Sequence, residues 1–256
     1  MAHQWWGLQV AAANVQGQKM LLEALAQYSA LMVLEANFPA AKIRQFLKME
    51  EQKYLSGRAN TKKQEVPLTL VDDQSYIYYR KGSLNLYALQ ALISEDSVNV
   101  ALKRFIRDWN SFDGFCQKER YATTADLMAY FSAVTPDTLQ YLLPQLFETI
   151  TLFDNKIKEV TYEKVATNQY KTAIKLEVKK IEVDSLGVEN IVALNDWVDL
   201  VIYGEKEEII YQGKHKITSP LMDLEILVNQ PPSKLVLDPD FLQIDKNRKD
   251  NVRIIE

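Results

Sequence analysis

One histidine and one glutamate near the start of the chain have types and surroundings that point to chemistry. His3 precedes an apolar stretch, and Glu23 lies inside a second one, residues 20–34. Apolar side chains recur there with helical spacing, at Leu21, Leu25, Tyr28 and Met32. An unpartnered charge in apolar surroundings is costly, so Glu23 is expected to be paired, protonated or bound to a metal. Histidine and glutamate are both zinc ligands, and two His with one Glu make a standard catalytic zinc shell.

Residues 3–7 (HQWWG) and 23–28 (EALAQY) together resemble the zinc-binding signature of the M1, or gluzincin, aminopeptidases. In that family one helix carries His-Glu-x-x-His followed by Gln-Trp and an aromatic-Gly pair. A second helix supplies the third zinc ligand from an Asn-Glu-Gly run that ends in x-Tyr. The resemblance implies that His3 and Glu23 are zinc ligands.

The second run departs from the family pattern at two places and points to one branch of it. Leu22 stands where the family usually has Asn, and Ala24 where it usually has Gly. Residues 21–32 (LLEALAQYSALM) look more like a bacterial branch in which the peptidase domain follows the membrane segments of an ABC-2 type permease. The resemblance therefore implies that the intact protein is a bacterial membrane protein.

A second motif occurs at residues 79–82 (YRKG). It resembles the Tyr-x-Lys-Gly motif that M1 enzymes carry at the start of a helix, in which the tyrosine points at the zinc-bound substrate. A phenol in that position donates a hydrogen bond to the oxyanion of peptide hydrolysis, which is typically worth roughly 2.7–4 kcal/mol. The resemblance thus implies a catalytic role for Tyr79, whereas Tyr76 and Tyr78 are predicted to be packing groups.

The chain is expected to be a C-terminal fragment that begins inside its own catalytic motif. His-Glu-x-x-His needs two residues between its Glu and its second His, and Met1 and Ala2 fill those places. The first His ligand and the general-base Glu then have no counterpart here. The only other histidine, His215, lies between two lysines and is predicted to be an ordinary exposed or edge residue. Zinc is expected for the intact protein, but weak or absent zinc and no turnover are predicted for this chain alone.

Composition excludes several classes of protein. The net charge of -4 with both signs interspersed gives no basic footprint for nucleic acid. The single Cys116 cannot form an internal disulfide. No apolar run approaches the roughly 20 residues of a membrane helix. The chain itself is therefore expected to be soluble, with any membrane contact made by segments outside it and a peptide as the implied substrate. No feature of the sequence indicates an oligomeric state.

The first part of the chain, up to about Phe153, is predicted to be helical. The pattern breaks at residues 37–39 (NFP) and resumes until residues 56–57, and residues 67–71 are predicted to be extended. Thr123 and Thr124 are expected to cap a helix with Asp126 in its first turn. A last helix is predicted over residues 136–150, kinked at Pro144.

After Phe153 the hydrophobic period changes to that of strands. Apolar and charged residues alternate, as in Ile174, Leu176 and Val178 against Lys175, Glu177 and Lys179. About six short strands with turn signals between them predict a small antiparallel β-sandwich.

The sequence therefore predicts a multidomain α and β protein. An α-helical, thermolysin-like catalytic subdomain is expected over residues 1–153, and an immunoglobulin-like β-sandwich over residues 154–256. The implied function is that of a fragment of a zinc metallopeptidase. The alternative is a non-catalytic module that binds a peptide or protein and is associated with a membrane transporter. In that case His3 and Glu23 are structural remnants, and Tyr79 is expected to pack away from them.

Overall fold

The computed structural model describes residues 1–112 and 120–255, so Cys116 lies outside the described residues. The chain divides into two compact units. The first consists of Met1–Ile150 and Val183–Val188, and the second of Thr151–Glu182 and Glu189–Glu256. No helix in the described part of the chain combines the length and the apolar character that a bilayer crossing requires.

Helices build the first unit. Its described residues contain five α-helices: α1 (Leu25–Asn37), α2 (Ala40–Asn60), α3 (Gly82–Ile93), α4 (Glu95–Asp108) and α5 (Thr124–Ser132). Three shorter segments have π-helical hydrogen bonding: Met20–Ala24, Tyr76–Lys81 and Pro144–Glu148. Helix α3 packs against α1 and α4, and α4 packs against α5.

The helix boundaries follow from local sequence chemistry. Helix α1 ends at Asn37 because Phe38, which precedes a proline, adopts an extended conformation with φ -130° and ψ 151°. Helix α2 then starts directly after Pro39, which confirms the predicted break. At the start of α5 the Asp126 carboxylate accepts hydrogen bonds from the backbone N–H and the hydroxyl of Thr123. The predicted cap is therefore present as a capping box.

Two predicted elements are wrong. Residues 136–150 do not form a kinked helix but a 3₁₀ turn at Asp137–Leu139 and the π-helical segment Pro144–Glu148, after which a strand begins at Ile150. Pro144 has no N–H to donate and stands at the first position of its segment, where none is needed. The stretch predicted to be extended contains a 3₁₀ turn at Leu68–Leu70.

Two four-stranded sheets build the second unit. Their strands are β1 (Ile150–Ala166), β2 (Gln169–Val183), β3 (Glu189–Val192), β4 (Asp196–Gly204), β5 (Ile209–Ile217), β6 (Leu221–Val228), β7 (Pro232–Leu237) and β8 (Val252–Ile254). In one sheet β2 pairs with β1, β3 and β6, and in the other the strand order is β5-β4-β7-β8. The pairs β2–β6, β4–β5, β4–β7 and β7–β8 are antiparallel.

One core of aliphatic side chains is shared by the two sheets. On β2 the predicted alternation is confirmed, since Ile174, Leu176 and Val178 are each 1% exposed whereas Lys175 faces solvent. On its charged face β2 also forms a side-chain ion pair with β1. The Nζ atom of Lys175 lies 2.8 Å from Glu159 Oε2. The described residues therefore form a helical unit and a unit of antiparallel sheets.

Candidate functional site

The three side chains that the sequence singled out meet at one carboxylate oxygen in the first unit. The hydroxyl of Tyr79 donates a hydrogen bond of 2.7 Å to Glu23 Oε2. His3 Nε2 lies 3.5 Å from the same oxygen. The three residues come from separate segments of the chain, so neither contact is a consequence of neighbouring positions in sequence.

Glu23 and Tyr79 both lie in π-helical segments. We call Met20–Ala24 the Glu23 turn and Tyr76–Lys81 the Tyr79 turn. The N–H of Leu25 bonds to the carbonyl of Met20, and that of Gly82 to the carbonyl of Ile77, five residues back in each case. π-Helical turns are rare and are frequent at functional sites. No sequence signal predicted them, because the spacing of the apolar residues fits an α-helix nearly as well.

The Glu23 turn closely approaches the first residue of α3, directly after the Tyr79 turn, because that residue is Gly82. A Cβ atom at Gly82 would lie 2.5 Å from the Cβ of Ala24 and 3.4 Å from its Cα. Real Cβ atoms do not come that close to one another, so a larger residue at either position would force the turns apart. The short contact between Tyr79 and Glu23 therefore depends on two small residues, Gly82 and Ala24.

His3 is held at the site by the segment that follows it. It lies in a short 3₁₀ turn, Ala2–Gln4, and its Nδ1 is 3.3 Å from the carbonyl oxygen of Trp6. The indole of Trp6 is buried, and its Nε1 donates a hydrogen bond of 2.9 Å to Ser29 on α1. With Nδ1 as the donor to Trp6, the lone pair of Nε2 is available on the side of Glu23.

The environment of Glu23 is that of a paired carboxylate. Besides the hydrogen bond from Tyr79, Glu23 has Lys19 as a partner, whose Nζ lies 3.8 Å from Oε1, one helical turn before it. The hydrogen bond to Glu23 and partial burial raise the pKa of Tyr79 to about 12, so the phenol keeps its proton at neutral pH. Tyr79 is thus a hydrogen-bond donor at this site. Sequence reasoning missed Lys19, although its i, i+4 spacing to Glu23 was a usable signal.

The neighbouring tyrosines pack on other rings. Tyr78 contacts the ring of Tyr79 edge-on with centroids 4.7 Å apart. Tyr76 stacks on Tyr54 of α2 at 6.0 Å. Both contacts agree with the packing role predicted for Tyr76 and Tyr78.

The second histidine belongs to a different environment. His215 lies in β5, at the edge of its sheet, and its Nε2 is 3.0 Å from the hydroxyl of Tyr211. Burial lowers the pKa of His215.

The separation of His3 Nε2 and Glu23 Oε2 is compatible with two ligands of one zinc ion. Two protein ligands of a tetrahedral zinc, with bonds of about 2.0–2.2 Å, lie roughly 3.4 Å apart. The 3.5 Å between His3 Nε2 and Glu23 Oε2 fits that separation. The contact of Nδ1 with the Trp6 carbonyl is of the kind that orients metal-bound histidines. Within the described residues no group of three or more His, Cys, Asp or Glu side chains forms a candidate metal centre, so His3 and Glu23 are two candidate ligands without a third.

No protein-family model matches this sequence, and no curated protein matches it at a significant level.

Proposed function

We propose that this chain supplies part of the active site of a zinc-dependent metallopeptidase of the M1, gluzincin, type. In this proposal the first unit belongs to a thermolysin-like catalytic subdomain, and the second unit is an immunoglobulin-like β-sandwich. The intact protein hydrolyses peptide bonds and belongs to the permease-linked bacterial branch. The observation that carries the proposal is the convergence of His3, Glu23 and Tyr79 on one carboxylate oxygen.

Each of the three side chains has a role in the proposed chemistry. His3 Nε2 and Glu23 would hold the metal, and the Trp6 carbonyl would keep the imidazole in the required tautomer. A bound zinc ion supplies a Lewis acid that lowers the pKa of a water ligand from about 15.7 to about 7. The Tyr79 phenol, protonated at neutral pH, would donate its hydrogen bond to the oxyanion that forms on the peptide carbonyl.

The remaining groups of the proposed site are a second histidine and a general-base glutamate, which the family motif carries ahead of the position of His3. A two-ligand site binds zinc more weakly than a three-ligand site because one coordinate bond is lost. We therefore expect this chain to bind zinc weakly and to show no peptidase turnover.

Zinc titration of the chain by calorimetry tests the metal part of the proposal. Weak binding is expected in the wild type and loss of binding in His3→Ala and in Glu23→Gln. The matched control is His215→Ala, which removes the other histidine and should bind zinc as the wild type does. Binding that survives His3→Ala but disappears in His215→Ala would overturn the assignment.

Two further results would contradict the predicted inactivity without touching the ligand assignment. One is stoichiometric zinc in the chain after dialysis. The other is cleavage of an alanine-type chromogenic peptide that is abolished by Tyr79→Phe. Either result would mean that the chain completes its own site.

The competing proposal is a non-catalytic interaction module associated with a membrane transporter. It expects Tyr79 to pack away from His3 and Glu23. The hydrogen bond from Tyr79 to Glu23 favours the peptidase proposal over it.

A further inference from the structure

A lysine with no role in the proposed chemistry is buried two residues after Tyr79. Lys81 ends the Tyr79 turn, is 1% exposed, and its Nζ lies 3.1 Å from Glu65 Oε1. Its ammonium also lies 5.5 Å from the centre of the Tyr54 ring. Burial lowers the pKa of Lys81 more than the neighbouring Glu65 carboxylate raises it. A buried ion pair is weak evidence for stability, so its position requires another explanation.

Glu65 connects the Tyr79 turn to helix α2. Besides Lys81, it accepts a 2.6 Å hydrogen bond from the hydroxyl of Tyr54 and a 2.8 Å hydrogen bond from Nε of Arg58. Both of these residues lie on α2. Lys81 therefore joins the end of the Tyr79 turn to a carboxylate that is already fixed on the neighbouring helix.

Tyr79 and Lys81 act on different sides of the same turn. Side chains two residues apart do not share a face of a helical turn, and here one reaches Glu23 while the other reaches Glu65. Gly82, the next residue, is fixed against Ala24. A π-helical turn has one more residue per hydrogen-bonded ring than an α-helical turn, so a change to the α-helical register would reorient the Tyr79 side chain.

We infer that Lys81 is a positioning residue, whose ion pair with Glu65 fixes the register of the Tyr79 turn and thereby aims the Tyr79 hydroxyl at Glu23. The catalytic meaning of this role rests on the function proposed above. The geometric part of the inference, that the ion pair controls the Tyr79–Glu23 hydrogen bond, stands independently of catalysis. It is therefore tested without zinc and without an activity assay.

The substitution Lys81→Met separates positioning from folding. Methionine has a similar length and no charge, and Glu65 keeps its hydrogen bonds from Arg58 and Tyr54, so no uncompensated buried charge remains. The folded state is therefore expected to survive. The tie that Lys81 makes between the end of the Tyr79 turn and Glu65 is lost, whereas the contacts of Arg80 with Glu50 and of Tyr76 with Tyr54 remain.

The readout is the NMR signal of Tyr79 in the full chain labelled with carbon-13 at tyrosine Cζ, since that carbon senses the hydrogen bond of the hydroxyl. Tyr79→Phe assigns the signal, and Glu23→Gln gives its position when the charged acceptor is removed. In Lys81→Met we expect the signal to move most of the way to its position in Glu23→Gln. The matched control is Lys180→Met, which removes another buried lysine, paired with Asp196 at 3.3 Å in the second unit, and should leave the signal in place.

A Tyr79 signal that stays at its wild-type position in folded Lys81→Met overturns the inference. If that variant does not fold, the double variant Lys81→Met with Glu65→Gln removes both charges of the pair and is judged by the same signal. Loss of zinc binding in His3→Ala together with an unmoved Tyr79 signal would leave the proposed function standing and refute the positioning role alone. A moved signal together with zinc binding that survives both His3→Ala and Glu23→Gln would do the reverse.

Discussion

Replacing Gly82 by alanine adds one methyl group at the point where the Glu23 turn and the Tyr79 turn touch. The backbone of Gly82 is helical, with φ -58° and ψ -48°, so alanine is compatible with its conformation. The new Cβ would lie 2.5 Å from the Cβ of Ala24, whereas carbon atoms in contact are about 3.5–4.0 Å apart. The two turns must therefore separate by roughly 1 Å or more.

Two effects of opposite sign decide the free energy of unfolding of Gly82→Ala. Alanine in place of glycine in a helix gains up to about 1 kcal/mol of helix propensity. Overpacking a closely fitted contact costs about 1–3 kcal/mol, and the neighbouring methyl of Ala24 is attached directly to the backbone and cannot rotate away. We expect a net loss of roughly 0–2 kcal/mol, which is the difference between these two effects. The Tyr79–Glu23 hydrogen bond, 2.7 Å long, is lost if its atoms separate by 1 Å.

Urea denaturation and the Tyr79 Cζ signal measure these two consequences. The matched set is Gly82→Ala, Ala24→Gly and the double variant, which exchanges the two residues and restores the space. The double variant should recover the wild-type Tyr79 signal, and the two substitutions should not be additive in stability. The steric reasoning would be refuted by a Gly82→Ala variant that is more stable than the wild type and keeps its Tyr79 signal.

Two predictions concern ion pairs around the helices. Burial raises the pKa of Asp126, but hydrogen bonds from Arg120 and the capping threonine outweigh burial and bring the pKa to about 2. Its contribution is present above the unfolded-state value of 3.8 and is lost as the pH falls through about 2. In denaturation measurements Asp126→Asn should therefore cost about 1 kcal/mol near neutral pH, and the difference from the wild type should vanish toward pH 2; a difference that does not change with pH would contradict it. Arg80→Ala leaves the fully buried Glu50 without the guanidinium that contacts both of its oxygens. It should lower the free energy of unfolding by about 3 kcal/mol or more. Lys63→Ala removes one member of an exposed ion pair and should leave the denaturation midpoint unchanged. Equal midpoints for these two variants would refute the distinction.

Elements that depend on local sequence chemistry could be predicted. The break between α1 and α2 follows from Pro39, and the cap of α5 follows from Thr123 and Asp126. On β2 the alternation of apolar and charged residues predicted both the strand and its buried face. In each case a residue and its near neighbours in the chain determine the outcome.

Elements that depend on contacts between distant segments could not be predicted in this way. The apolar residues of 136–150 have helical spacing, yet only short helical turns form there before Ile150 joins a sheet. The π-helical geometry of the Glu23 and Tyr79 turns could not be predicted either, since no local sequence feature distinguishes it from an α-helical turn at these positions. The sequence identifies Gly82 only as part of a motif, whereas its steric role depends on Ala24, which is far from it in sequence.

The identities of the site residues and their arrangement were therefore predictable to different degrees. Motif spacing suggested His3, Glu23 and Tyr79, and periodicity indicated that Glu23 requires a partner. Neither the motif spacing nor the periodicity indicated that one oxygen, Glu23 Oε2, accepts the Tyr79 hydrogen bond and also faces His3. This sharing matters for the proposed chemistry, because a phenol that must serve an oxyanion has to give up its resting acceptor. In the proposed site Glu23 would share its carboxylate with the metal, which would make it a weaker acceptor and would favour release of the Tyr79 hydroxyl.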